Sequence, residues 1–127
     1  MTEIPTNAGQ VLNCLACAAH ETALEHGFYA DHDRVLAELR YEGLFDSCEI
    51  IERDFVLGQI AKIASECGEA VAAIQHGESI ESVAEELADV VIRMLDLAGH
   101  MGVDFGKILT GKMERNKQRP YKHGKVC

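Results

Sequence analysis

Residues 54–101 read DFVLGQIAKIASECGEAVAAIQHGESIESVAEELADVVIRMLDLAGHM, two helix-patterned runs on either side of Gly77. Apolar residues recur near heptad spacing in both. They are Val56, Ile60, Ile63, Cys67, Ala70 and Ile74 before the glycine, and Ile80, Val83, Leu87, Val91, Met94, Ala98 and Met101 after it. No proline interrupts the stretch, so each run is expected to bury its stripe by folding back on the other. Glu69 and Glu66 lie 8 and 11 residues before Gly77, and Glu86 and Asp89 lie 9 and 12 after it. At a rise of about 1.5 Å per residue both acidic pairs stand roughly 12 to 18 Å from the turn. An antiparallel hairpin brings them level.

Within each pair, i, i+3 spacing sets both side chains on one helix face. Four carboxylates meeting across a hairpin repel, and each raises the pKa of its neighbours unless a cation offsets the charge. Hard divalent cations take oxygen ligands, and Mg²⁺ commonly combines one or two carboxylates with waters and substrate phosphates. Glu66, Glu69, Glu86 and Asp89 are therefore expected to form a divalent-metal site. Asp89 is the most informative of the four. It stands within LADVVIRML, where apolar neighbours imply partial burial, and a buried carboxylate must be paired, protonated or metal-bound. The competing reading is an intrahelical ion pair with Arg93 at i+4. For Glu66 and Glu69 it is an ordinary solvated face.

At 127 residues the chain is expected to form one domain, 1–127, with its core at about 54–118. Its composition, 47% hydrophobic but only 6% aromatic, favours helices packed on helices over a β-sandwich. The net charge of −9 argues against general nucleic-acid binding, which depends on basic surface. The charge is unevenly distributed, however. From Gly102 onward seven lysines and arginines face only Asp104 and Glu114, so a basic tail, 112–127 at its densest, follows an acidic body. Such a pairing suits a metal and a polyphosphate held together, or a tail that merely neutralises its neighbours. Five scattered cysteines fit reduced thiols in a cytoplasm better than a disulfide framework. Neither a signal peptide nor a membrane span is recognisable.

The remaining elements follow from caps and breakers. A first helix is expected over 8–26, capped by Asn7 and released by Gly27. A second begins at Asp31 or Asp33 and runs to about Tyr41, ended by Gly43. Residues 44–52 read as a helical turn leading into the hairpin. Ser79 or Ser82 caps the fourth helix, the latter through a capping box with Glu85. Asp104 caps a fifth helix to about Asn116, loosened by Gly106 and Gly111 and ended by Arg119 and Pro120.

The motif ECGEA followed by EELADVV resembles the paired acidic motifs of the MazG-like, all-α nucleoside triphosphate pyrophosphohydrolases. The tail GKMERNKQRPYKHGK is similar to the ending of many of their single-domain members. The likeness covers roughly 54–125, and more loosely ALEHGFYADHD. It implies a bundle of four to five helices that hydrolyses a nucleoside triphosphate, with Mg²⁺ or Mn²⁺, to monophosphate and pyrophosphate. It further implies Glu66, Glu69, Glu86 and Asp89 around the metal. One carboxylate is expected to act as general base toward the attacking water, and Glu69 is assigned that role. Lys112, Asn116 and Arg119 would approach the phosphates, in a homodimer or homotetramer with sites near subunit contacts. Residues 34–53 depart from the simplest members as an extra helical element. The alternatives are a phosphoribosyl-ATP pyrophosphohydrolase and a non-catalytic helical adapter that dimerises through its apolar stripes.

Other constellations read as structural. Cys14, Cys17 and His20 could ligate a soft metal but lack a fourth ligand and a loop, so buried cysteines on an apolar face are expected. No histidine follows a glutamate by three residues, which sets aside a ferritin-like di-iron site. His76 and His100 read as histidines favoured at helix C-termini. Phe28 and Tyr29 suit a pocket wall and a loop anchor equally. A phosphate-cradling glycine loop is absent.

Overall fold

In the computed structural model, which describes residues 2–124, five α-helices follow one another. They are α1 (Ala8–Glu25), α2 (Ala30–Tyr41), α3 (Phe45–Gln75), α4 (Ile80–Met101) and α5 (Phe105–Lys117), with a 3₁₀ turn at Tyr121–Gly124. No strand occurs among the described residues, and the fold is an all-α bundle. The end of the basic tail, 125–127, lies outside them. None of the helices is long and apolar enough to cross a membrane.

The hairpin closes as its sequence requires. Gly77 adopts φ 70°, and the amides of Gly77 and Glu78 donate to the carbonyls of Ile74 and Ala73, ending α3. Ser79 then caps α4, its hydroxyl accepting from the Ser82 amide at 3.1 Å, a contact worth about 1 kcal/mol. The alternative box with Glu85 does not form, because the Ser82 hydroxyl donates to Glu78 instead. Helix α4 is the hub, packing on α3 and on α1, while α5 lies against α1 and α2 against α3.

Three expectations need correction. Residues 45–52 are not a separate turn but the first part of α3, which runs for 31 residues, ~46 Å. Nothing between Phe45 and Gln75 breaks a helix, so the two segments merge. Second, the heptad stripe assigned to α3 combines two faces. Val56, Ile63, Ala70 and Ala73 turn inward, whereas Ile60, Cys67 and Ile74, with Leu57 and Val71, are exposed. In α4, Ile80, Leu87, Val91, Met94 and Met101 are likewise exposed, and Ala98 is buried. Both helices carry apolar residues on two sides, and period alone does not say which side meets the neighbour. Third, Asp31 and Asp33 are not caps. Tyr29 is the N-cap residue of α2, and the two acids fall in its first turn, where they complement the helix dipole.

Helix α5 is fixed to α1 by a crossing of glycines. A Cβ built on Gly106 would lie 2.0 Å from the Gly9 carbonyl oxygen and 2.7 Å from its Cα, so this glycine is a point of backbone contact rather than a weakness in the helix. Beside it, the Asn13 amide donates to Asp104 Oδ1 at 2.7 Å and its carbonyl accepts from the Gly106 amide at 2.8 Å. Asp104 Oδ1 also accepts from the Lys107 amide at 3.1 Å. The bonds from Asn13 and the Lys107 amide hold the Asp104 carboxyl below its ordinary pKa. A depressed folded-state pKa adds stability that is complete above the unfolded value and is lost as pH falls through the folded one. Asp104→Asn, which keeps an accepting oxygen but cannot titrate, is therefore expected to flatten the acid limb of stability. Thermal melts between neutral pH and about pH 3 would check this.

Candidate metal and active site

The hairpin register sets the acids where the chain arithmetic places them. Glu66 continues the inward row of α3, in line with Val56, Ile63, Ala70 and Ala73, and its side chain is 12% exposed. Glu86 occupies the matching row of α4 after Val83. Carboxylate oxygens of Glu66, Glu86 and Asp89 lie within 4.8 Å of one another. Glu69, one turn beyond Glu66, is exposed and close enough to Glu86 to influence its carboxyl. Desolvation first, then the charges of Glu69 and Asp89, lift the Glu86 carboxyl above its ordinary pKa, with Glu66 adding to the effect. Four acids thus crowd one level of the hairpin.

Asp89 departs from expectation in two respects. It is exposed rather than partly buried. Its anticipated partner, Arg93, reaches across the hairpin to Glu66 at 2.5 Å rather than back along its own helix. Glu66 is the more enclosed carboxylate, and a guanidinium gains most where water screens least.

Glu66, Asp89 and Arg93 open onto a cavity of ≈ 590 Å³ between α1, α3 and α4. Leu15, Ala18, Ala23, Ile92 and Leu95 form its apolar wall, and Phe28 and Tyr29 stand in it with Gln59 and Lys62. Phe28 is 73% exposed, whereas Tyr29 is fully enclosed and donates its hydroxyl to Asp96 Oδ1 at 2.9 Å. Burial first, then the bond to Asp96, raises the Tyr29 pKa, so the hydroxyl stays protonated. His20 Nδ1 meets the same Asp96 oxygen at 2.9 Å, and the His20 ring sets its edge against Tyr29. Lys62, Gln59 and Asp96 escaped notice in the sequence because each lies one or two turns from an acid without completing a motif, and Arg93 reads there only as a partner for Asp89.

The residues of α5 and of the segment that follows it are placed differently. Lys112, Asn116 and Arg119 are exposed and are not among the described residues lining this cavity, since α5 packs on α1. A wider groove between α1 and α5, ≈ 950 Å³, holds none of the four clustered acids. Cys14 and Cys17 line it and are exposed, contrary to the expectation of buried thiols, because their side of α1 faces the groove rather than α4. His76 is the C-cap residue of α3, as its position implied. His100, in the last turn of α4, does more than meet a dipole, since its Nε2 lies 2.5 Å from Glu52 Oε1.

A family model for the MazG nucleotide pyrophosphohydrolase domain matches residues 57–123, which contain all four acids, the turn between them and α5. No curated protein and no solved structure matches the chain. The matched region covers more than half of the sequence and includes both arms of the acidic hairpin, and the chain belongs to the MazG nucleotide pyrophosphohydrolase domain family.

Proposed function

We propose that the chain, acting as one domain over 1–127, hydrolyses a nucleoside triphosphate to monophosphate and pyrophosphate in a Mg²⁺-dependent reaction, with Mn²⁺ able to substitute. The observation that carries this reading is the meeting of Glu66, Glu86 and Asp89 oxygens within 4.8 Å at the mouth of an apolar cavity. The donor set fits the cation. Oxygens bound to one Mg²⁺ at 2.0 to 2.1 Å stand no more than about 4.2 Å apart, a separation these side chains reach by small rotations. Bound there, Mg²⁺ would neutralise phosphate charge and lower the pKa of a water for attack on phosphorus.

The chain's own residues divide the remaining work. Glu66, Glu69, Glu86 and Asp89 hold the cation. Glu69, which stands outside the tight trio of Glu66, Glu86 and Asp89, takes the proton from the attacking water. Arg93 and Lys62 supply positive charge at the cavity mouth, and the Arg93 fork can leave Glu66 for a phosphate oxygen. Phe28 offers its exposed ring as a face for a base, while Tyr29, locked by Asp96, keeps the floor rigid.

Lys112, Asn116 and Arg119 belong to the same reading in an assembly. The exposed stripes of α3 and α4, with Ile74 65% and Ile80 82% exposed, need more partner surface than one chain gives, in keeping with a homodimer or homotetramer. Its subunit contacts would bring α5 of one copy toward the phosphates of another. Cys14, Cys17, Cys48 and Cys67 are free thiols, in keeping with a reducing cytoplasm.

The test is product identity. With Mg²⁺ and a panel of NTPs, dNTPs and phosphoribosyl-ATP, at least one substrate is expected to yield pyrophosphate and a monophosphate, and excess chelator to stop the reaction. Orthophosphate release would contradict cleavage between the α and β phosphates. Absence of turnover on every substrate would favour the adapter reading.

A further inference from the structure

A second group of ligand-bearing side chains lies well away from the acidic hairpin. His32 of α2, Glu52 of α3 and His100 of α4 offer ligand atoms within 4.8 Å of one another. Fourteen residues separate Glu52 from Glu66 on α3, ~21 Å along the helix, so the two groups are distinct. Glu52 uses one oxygen for each ring, Oε2 for His32 Nε2 at 2.6 Å and Oε1 for His100 Nε2 at 2.5 Å.

We propose that His32, Glu52 and His100 form a binding site for a divalent transition metal of the zinc class. Two imidazoles and one carboxylate are a donor set for Zn²⁺, whereas the all-oxygen cluster suits Mg²⁺. Ligands of tetrahedral zinc stand roughly 3.3 Å apart at bond lengths of 2.0 to 2.1 Å, which the present spread reaches by side-chain rotation.

The rings are already held in place. His32 is 8% exposed and stacks on Phe55 with centroids 3.8 Å apart and planes 20° from parallel. His100 stacks on the buried Tyr29 at 5.0 Å. The Glu52 side chain, 40% exposed, leaves one side open for an entering ion and a fourth ligand from water. On binding, each Nε2 gives its lone pair to the metal, and its proton moves to Nδ1 or leaves to solvent. The three ligands come from three helices, so the ion would tie α2, α3 and α4 together.

Protein stripped with chelator is titrated with Zn²⁺ against a chromogenic competitor in excess Mg²⁺. One equivalent per chain is expected to bind, with affinity lowered at least about tenfold in His32→Gln and in His100→Gln and unchanged in Glu86→Gln. Long-range ¹H–¹⁵N spectra of the unaltered protein give a readout independent of any variant, because Zn²⁺ should shift the Nε2 resonances of two histidines. Three results would each overturn the site: no Zn²⁺ uptake in excess Mg²⁺, unmoved ring nitrogens, or uptake abolished by Glu86→Gln but not by the histidine variants. In those cases Glu52 serves only to clamp two imidazoles by hydrogen bonds.

Discussion

Asp89→Asn is expected to lower kcat by about 10²- to 10³-fold, the scale of losing one group that stabilises charge in the transition state. The substitution preserves shape and removes one negative charge from the acids proposed to hold the cation, where oxygens of Glu66, Glu86 and Asp89 lie within 4.8 Å of one another. Glu69→Gln should cost a comparable factor if this side chain is the base, since general-base catalysis contributes roughly 10²- to 10⁴-fold. The two should differ in their response to metal. Raising Mg²⁺ should recover more of the Asp89→Asn loss than of the Glu69→Gln loss, of which only the part owed to weaker cation binding can return. Because Asp89 and Glu69 are both exposed, neither change should disturb the helices, and far-ultraviolet circular dichroism should be unaltered. Near-full activity in Asp89→Asn would remove Asp89 from the site.

Gly106→Ala should produce the largest loss of stability of any glycine-to-alanine change among the described residues from Gly9 to Gly111. Its Cβ would enter the Gly9 backbone, which has no side chain to swing aside, so α1 and α5 must separate. Overpacking of this kind typically costs about 1 to 3 kcal/mol, and a backbone clash belongs at or above the upper end. A drop in Tm of at least about 10 °C is expected. Gly111→Ala is the internal control. Its Cβ would meet only the Arg115 guanidinium at 3.5 Å, so the gain in helix propensity, up to about 1 kcal/mol, should leave stability level or raised. Equal melting temperatures for the two variants would mean that the helices do not cross so closely.

The meeting of the acids was legible because hairpin register depends only on counting residues from a turn, and Gly77 marks that turn plainly. Ser79 and Asp104 were legible as caps for the same reason, since capping is local. Legibility ended where information was non-local. The inward and outward rows of α3 share one period, and only the position of α4 separates Ala70 from Ile74. His32, Glu52 and His100 are far apart in sequence, so no local spacing could reveal them. Gly106 looks the same as Gly111 in one dimension, and the difference lies in what crosses it. Lys112, Asn116 and Arg119 lie on or just beyond a helix that packs on α1, and no local spacing tells that they stand apart from the cavity beside the acids.

The reach of Arg93 across to Glu66 has a consequence for biogenesis. A chain that needed magnesium to silence its own acids would stay open until loaded, and newly made protein would compete for the ion before it could close. Here an internal cation already steadies the most enclosed carboxylate, so closure and loading become separate events. On the proposed metal-dependent reading, maturation should thus proceed at low magnesium, leaving a finished molecule whose turnover awaits the ion.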